Sequence, residues 1–389
     1  MEISKLRVLV IGGGIGGLAS ACAFAQRGAN VTVLEQAPAI TEVGAGLQIS
    51  PNGFAVLRAL GLDSALEASS VRAQAVCLCD YRRGEVLRLD LGKKTRRDYY
   101  FVHRADLIDL LAKAAQRAGV KIRLLQQVRD VVPGTAPQVI MQTGETRTAD
   151  LVVGADGLHS VLRPALNGAA APFFTGQVAW RAVIPNTEAR GPQVHVHMGP
   201  GRHVVSYPLR DGSLLNLVAV REQREWVADS WTQQDDPANL RAAFADFGPE
   251  VRAMLARVDS VQQWGLFRHP VAARWHDDTF ALLGDAAHPT LPFLAQGACM
   301  ALEDAWGLVR GLDGAADVAS GLAAYQELRA ARATRVIEAA SGNAWKYHLS
   351  FPPLRGVAHL ALRLGGALAP DRMVRQFDWL YDYDITDEG

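Results

Sequence analysis

Five of the six residues 12–17 are glycine, and Gly12-Gly-Gly14-Ile-Gly-Gly17 has the spacing G-x-G-x-x-G. Glycines so placed allow a tight turn and let backbone come close to a pyrophosphate, which the N-terminus of a following helix attracts. Glu35 follows at a distance where a carboxylate can accept hydrogen bonds from both hydroxyls of a ribose. This spacing predicts a dinucleotide but does not separate FAD from NAD. Asp285 follows the apolar run 280–283, and Asp156 follows the apolar run 151–153 and Gly154. An acid at the carboxyl end of a parallel strand stands where open α/β sheets bind ligands; the alternative is a helix or turn cap. Arg104 opens a helical pattern, where the dipole disfavours a cation unless an anion is near. His203 and Tyr207 are four apart on a strand-like run and therefore share a face.

These residues need elements to hold them. Residues 7–11 and 31–34 are short β-branched runs around a small apolar stretch, 15–27, which predicts a βαβ unit. Residues 104–118 repeat Leu and Ala at helical spacing, and 120–125, 138–143 and 151–153 read as strands. From about 176 to 221 strand follows strand (178–184, 193–198, 203–208 and 214–220), with turns such as Asp211-Gly212 between them. Residues 237–258 read as helix, 280–283 as a buried strand and 299–347 as mostly helix. The expected fold class is α/β. A Rossmann-like dinucleotide domain takes residues 1–175 and 265–347. An antiparallel sheet domain, 176–264, is inserted into it, and a C-terminal helical segment and tail take 348–389.

The chain has 389 residues, enough for two domains, and 49% are hydrophobic against 21% charged, which excludes disorder. Forty basic residues balance forty acidic ones, which argues against a chain that works by grasping nucleic acid. Four cysteines are too few and too irregular for a disulfide framework or a metal site. Cys77-Leu-Cys79 has the wrong spacing for a redox pair and reads as two small core residues on one strand face. This usage suits a reducing cytoplasm. Residues 8–25 carry no charge, but their glycine run suits a strand, turn and helix rather than a membrane span. Residues 357–369 are broken by His359, Arg363 and two glycines.

Three further motifs accompany the glycine loop in a characteristic order. They are His103-Arg104-Ala-Asp-Leu107, Gly154-Ala-Asp156-Gly157-Leu-His-Ser160-Val-Leu-Arg163 and Gly284-Asp285-Ala-Ala-His288-Pro289. Over residues 7–347 the chain resembles the FAD-dependent aromatic hydroxylases, the single-component class A flavoprotein monooxygenases. The resemblance implies FAD as cofactor and NADH or NADPH as co-substrate. Arg104 would reach the FAD phosphates, Asp285 the ribityl and pyrophosphate region, and Asp156 FAD and NAD(P)H. The run Phe293-Leu-Ala-Gln296-Gly297-Ala298-Cys299 resembles the flavin-facing loop, with Gly297 and Ala298 presenting N–H groups to the flavin; Cys299 reads as packing. His288-Pro289 would shape its loop.

The same resemblance implies hydroxylation by O2 through a flavin C4a-hydroperoxide, which attacks a phenol better as phenolate, so a nearby base helps. His203 and Tyr207 match the His and Tyr of 3-hydroxybenzoate 6-hydroxylases and 6-hydroxynicotinate 3-monooxygenases. His203 is the implied base or hydrogen-bond partner of the phenol, and Tyr207 orients substrate. Gln48, in Gly44-Ala-Gly46-Leu-Gln48, and Gln296 resemble pocket-edge amides, the latter in the catalytic set. Phe293 and Gln48 stand where the 6-hydroxynicotinate enzymes carry histidine, which favours a carbocyclic acid such as 3-hydroxybenzoate or salicylate. Arg181 is a candidate for the substrate carboxylate or a structural ion pair. Arg329, Arg332 and Arg335 form a stripe read as a solvated or salt-bridged face. The aromatic tail (Phe377, Trp379, Tyr381, Tyr383) alternates like a strand and could dock or join two copies, so a monomer or a homodimer is expected. Rival readings keep the fold with 6-hydroxynicotinate, a purine, or a quinone-like or polycyclic substrate, or make the chain a non-enzymatic flavin binder.

Overall fold

The βαβ unit of the first 35 residues seeds a five-stranded parallel sheet in a computed structural model that describes residues 1–40, 45–91, 98–226 and 232–387. Across the sheet the strands run Phe280–Leu282, Leu151–Gly154, Arg7–Ile11, Asn30–Leu34 and Lys121–Arg123. The inner strands are apolar because both of their faces are covered, and Val128, Val131, Val139 and Met141 of a small antiparallel sheet (Val128–Val132, Gln138–Met141 and Thr146–Thr148) share one core with them; the edge strand Lys121–Arg123 is polar at both ends. The helix Ile15–Gln26 is buried from Ile15 to Phe24. Its small residues let it lie against both the sheet and the helix Gly297–Leu312. The strand expected over 120–125 stops at Arg123, because Leu125 turns to φ +56°.

The second sheet has eight strands. Their order is Thr232–Asp235, Val261–Arg268, Phe173–Pro185, Leu214–Glu222, Arg202–Leu209, Gln193–Gly199, Ala75–Asp80 and Gly84–Asp90. All neighbours are antiparallel except Gln193–Gly199 beside Ala75–Asp80. The sheet therefore draws two strands from residues 75–90 as well as those from the inserted stretch. Cys77 and Cys79 are buried with Ala75 on one face of their strand, and all four cysteines are free. The helix expected over 237–258 is two helices, Pro237–Ala243 and Pro249–Ala256. Pro249 disfavours helical backbone at Gly248 and then opens the next helix.

Gly297–Leu312 and the long helix Val318–Tyr347 share an ionic core. Arg329 is fully buried, 2.5 Å from Glu303 and 2.9 Å from Asp304. Asp304 also accepts from Gly284 N–H at 2.9 Å and meets His288 Nε2 at 2.5 Å. Arg329 and Arg332 of the arginine stripe are thus salt-bridged while Arg335 is exposed, and His288 is a strut for the turn at Asp285. Arg332 pairs with Glu303 and donates to the carbonyls of Trp379 and Leu380. Those bonds turn the tail away from the strand its alternation suggests. Asp378–Tyr381 is a short helix, and Arg332 and Arg335 lie over the Tyr383 and Trp379 rings. Before it, the helix Pro352–Leu368 exposes Leu354, Val357, Leu360, Leu364 and Leu368 along one side, and Phe351 and Trp345, which precede it in the chain, are exposed as well. Among the described residues no helix is long and apolar enough to cross a membrane, and no group of three metal-ligating side chains converges.

Candidate functional site

The carboxyl ends of four parallel strands meet at one edge of the first sheet. Ile11 leads into the glycine loop, Leu34 into Glu35, Gly154 into Asp156, and Leu282 into Asp285. The three motif glycines serve two different ends. Gly12 adopts φ +103°, and a Cβ there would lie 2.4 Å from the Ala155 carbonyl oxygen. A Cβ on Gly17 would lie 2.0 Å from the Gly12 oxygen. Both are glycine because backbone crosses backbone. Gly14 has ordinary extended backbone, and a Cβ on it would meet nothing within 4 Å. It caps a helix whose first N–H groups have no partner within the helix. The Glu35 carboxylate accepts from Gly13 N–H at 2.6 Å and Ala37 N–H at 2.8 Å, and each oxygen retains a lone pair.

The acids match a cofactor cradle. Asp156 accepts from Val161 N–H through Oδ2, while its buried Oδ1 has no hydrogen-bond partner among the described residues. Burial raises its carboxyl pKa. Asp285 keeps an exposed side chain, yet protein surrounds it closely enough for burial to raise its pKa. Both statements hold for a carboxylate on the floor of a cleft. Arg104, at the start of the helix Arg104–Arg117, lies near enough for its charge to oppose that rise. Gly297 and Ala298 open the helix Gly297–Leu312. Arg163 is buried and donates to the carbonyls of Pro270, Ala286 and Ala287, binding the Asp156 and Asp285 segments together. An orphaned acceptor, a free helix start and open space over Gly14 fit FAD.

The second sheet supplies the other wall. Pairing sets Ala179, Val220 and His203 in one row, Arg181, Val218 and Val205 in the next, and Val183, Asn216 and Tyr207 in the third. Alternate positions share a face, so His203, Arg181 and Tyr207 look the same way, Arg181 at the level between the other two. His203 and Tyr207 stand about 13 Å apart along their strand. His203 is 2% exposed and lies among the rings of Phe293, Tyr347 and His348 at centroid distances of 5.5, 5.5 and 4.9 Å. Burial, with the His348 charge adding to it, lowers its pKa well below the usual histidine value. The ring is neutral at pH 7 and can accept a proton.

Tyr207 is buried beside Phe101, with Gln48 and Asn216 as its polar partners, and burial keeps its hydroxyl protonated. Gly46 admits it: a Cβ there would sit 2.6 Å from the Tyr207 ring. Gln48 accepts from the Tyr99 hydroxyl at 2.7 Å and so belongs to this polar group. Arg181 stacks over Trp264 at 5.4 Å, and its charge reaches both Tyr207 and Asp285. Phe293 is buried against His203.

Gln296 has partners that its own stretch of sequence does not announce. It is 1% exposed, donates to the Ser50 hydroxyl at 2.9 Å and accepts from Asn52 at 3.0 Å. Its amide braces the start of the helix Gly297–Leu312, because a buried helix cap must find partners inside the protein. Gly44 lies outside the described residues. Sequence reasoning missed Tyr99, Asn216, Tyr347, His348 and Glu222. Asn216 sat in a recognised strand opposite Tyr207 and could have been found by pairing; the others carry no local signal.

Comparison with known proteins matches residues 5–340 to the model of an FAD binding domain. A 3-amino-4-hydroxybenzoate 2-monooxygenase of Streptomyces cremeus is 36% identical over 90% of this chain and 89% of that protein. A 3-hydroxybenzoate 6-hydroxylase of Klebsiella oxytoca is 33% identical over 97% of each. Klebsiella pneumoniae HpxO, solved with FAD and uric acid, superposes with a TM-score of 0.82 at 25% identity over 95% of each chain. A salicylate hydroxylase substrate complex shares the fold with a TM-score of 0.82 at 24% identity, over 98% of this chain and 96% of that one.

Proposed function

This chain belongs to the FAD-dependent monooxygenases of aromatic rings, and from that premise we propose that it hydroxylates a small phenolic acid of the 3-hydroxybenzoate or salicylate type, with NAD(P)H as reductant and O2 as oxygen source. The observation that carries this reading is a neutral, buried His203 among aromatic rings, on one sheet face with Arg181 and Tyr207. Histidine in a dry pocket is suited to take a phenol proton, because deprotonation enriches the ring for attack. Arg181 draws the substrate carboxylate into the row between His203 and Tyr207. Tyr207, anchored by Gln48 and Asn216, fixes the far end of the ring. Phe293 and Tyr347 exclude water around His203.

The residues that would hold FAD are Gly12, Gly14 and Gly17 at the pyrophosphate, Glu35 at the ribose, Arg104 at the phosphates, and Asp156, Asp285, Gly297 and Ala298 toward the flavin. When bound, FAD supplies reduction by NAD(P)H and activation of O2 for transfer to the ring. Residues 1–175 and 265–347 serve the cofactor in this scheme, while 176–264, with the strands from 75–90, face the substrate. A cytoplasmic setting suits four free cysteines. Of monomer and homodimer, the exposed apolar side of Pro352–Leu368 favours the homodimer. Its five large apolar side chains, Leu354, Val357, Leu360, Leu364 and Leu368, are each about half exposed or more, a contiguous apolar stripe of the kind that marks a protein–protein contact.

The test is NADH and NADPH oxidation by FAD-loaded protein against hydroxybenzoates, 6-hydroxynicotinate and urate, with product analysis. A dihydroxybenzoate or a catechol from one hydroxybenzoate supports the reading. Turnover confined to 6-hydroxynicotinate or urate, or to none, overturns it.

A further inference from the structure

The buried His203 does not end at its own ring. Its Nδ1 lies 2.7 Å from His348 Nε2, and His348 Nδ1 lies 3.0 Å from Glu222 Oε1. His348 is as buried as His203, whereas the Glu222 side chain is 54% exposed. Three hydrogen-bonded groups therefore cross from the ring site to solvent. They come from three separate elements: the strand Arg202–Leu209, the end of the helix Val318–Tyr347, and the last residue of the strand Leu214–Glu222.

The chemistry of the last group orders the others. A carboxylate can only accept, so His348 must carry its proton on Nδ1. Its Nε2 is then a lone pair, and His203 must donate to it from Nδ1. That leaves His203 Nε2 unprotonated, and among the described residues Nε2 has no hydrogen-bond partner. An exposed glutamate thus selects the tautomer that gives a buried histidine its basic face.

We infer that His203, His348 and Glu222 form a proton relay, which carries the substrate's phenolic proton to solvent and returns one to the product. The inference rests on the reading of His203 as the phenol base. When the phenol O–H breaks, its proton bonds to His203 Nε2, the Nδ1 proton passes to His348 Nε2, and the His348 Nδ1 proton passes to Glu222, which releases it to water. Phenolate and a free proton replace phenol, and no electrons are exchanged. Reversal restores the hydroxyl of the product and resets both tautomers.

The surroundings suit such transfer. Phe293 and Tyr347 flank His203, burial pushes the Tyr347 hydroxyl up to about 12, and burial lowers His348 despite Glu222. The titratable groups facing His203 are therefore a protonated phenol and a neutral imidazole. Geometry is maintained independently of the relay side chains. Gly201 N–H donates to the His348 carbonyl at 3.1 Å, and Glu222 N–H donates to the Gly201 carbonyl at 2.8 Å.

The test mixes FAD-loaded enzyme, without NAD(P)H, with 3-hydroxybenzoate, salicylate and 3-amino-4-hydroxybenzoate in weak buffer. Phenolate absorbance and an indicator dye are followed by stopped flow. Wild type should form phenolate and release one proton together. Glu222→Gln and His348→Phe should slow release tenfold or more with the dissociation constant within twofold, and added imidazole should restore the rate in His348→Phe. Release at the wild-type rate in both variants overturns the relay, and the base reading survives if His203→Ala still abolishes phenolate formation. Undiminished phenolate in His203→Ala, or binding of none of the three acids, overturns the base reading itself.

Discussion

The three glycines of the loop should fail in two distinguishable ways when each becomes alanine. At Gly12 the backbone is left-handed, which costs an alanine about 1–2 kcal/mol, and its methyl would press on a carbonyl oxygen 2.4 Å away. Relieving such overpacking adds typically ~1–3 kcal/mol. Gly12→Ala should therefore destabilise apoprotein by about 2–5 kcal/mol. Gly17→Ala, 2.0 Å from the Gly12 oxygen without a left-handed cost, should lose about 1–3 kcal/mol or more. Gly14→Ala meets open space in ordinary backbone, so apoprotein stability should stay within ~0.5 kcal/mol of wild type. A methyl there would stand in the path of the pyrophosphate, and losing close approach to helix N–H groups should weaken FAD about tenfold to a hundredfold. Urea unfolding of apoprotein gives the first quantity, and flavin fluorescence titration gives the second. A Gly14→Ala protein that binds FAD with wild-type affinity would refute the placement of the phosphates. One that unfolds like Gly12→Ala would refute the packing argument.

Three other outcomes are expected. Asp304, held to about 2 by His288 and Arg329 against its burial, should contribute stability above pH ~4 that is lost as pH falls through 2. The unfolding free-energy gap between wild type and Asp304→Asn should therefore narrow by about 2–3 kcal/mol from pH 5 to pH 2, and a constant gap would contradict the ion-pair assignment. His203→Asn should cut hydroxylation roughly 10²–10⁴-fold without changing FAD content. Because the folded pKa of His203 lies below its unfolded one, the acid limb of the wild-type rate profile should fall well under pH 6.5, and an unchanged profile in the variant would remove His203 from the chemistry. Leu360→Glu with Leu364→Glu should halve the mass seen by light scattering; a wild-type protein already monomeric at working concentration would dismiss the homodimer.

What could be read from the sequence was local. Strand and helix periods, the glycine loop and the acids behind apolar runs depend on residues within a few positions of each other. The tail was misjudged because alternation at Phe377, Trp379, Tyr381 and Tyr383 outweighed, on paper, two arginine bonds from a distant helix. The hydrogen bonds of Gln296 were not foreseen because its partners Ser50 and Asn52 lie far back in the chain. His348 was invisible for the same reason: nothing near position 348 announces a partner at 203 or 222. The strand read at Cys77-Leu-Cys79 was not assigned to a sheet, and strand 84–90 was overlooked, because their sheet lies mostly a hundred residues further on.

The strand order of the parallel sheet has a consequence for how the protein is made. Leu151–Gly154 is flanked by Arg7–Ile11, which leaves the ribosome early, and by Phe280–Leu282, which leaves it much later. The edge strand carries Asp285 with it, and Arg329 must follow before Glu303 and Asp304 can be neutralised. A nascent chain thus holds an open sheet edge while the whole inserted stretch between residues 154 and 280 is made, and then briefly holds two uncompensated acids. The FAD contacts proposed at Asp285, Gly297 and Ala298 come only with the last third of the chain, so a product truncated before them should enter neither the cofactor-bound nor the soluble pool.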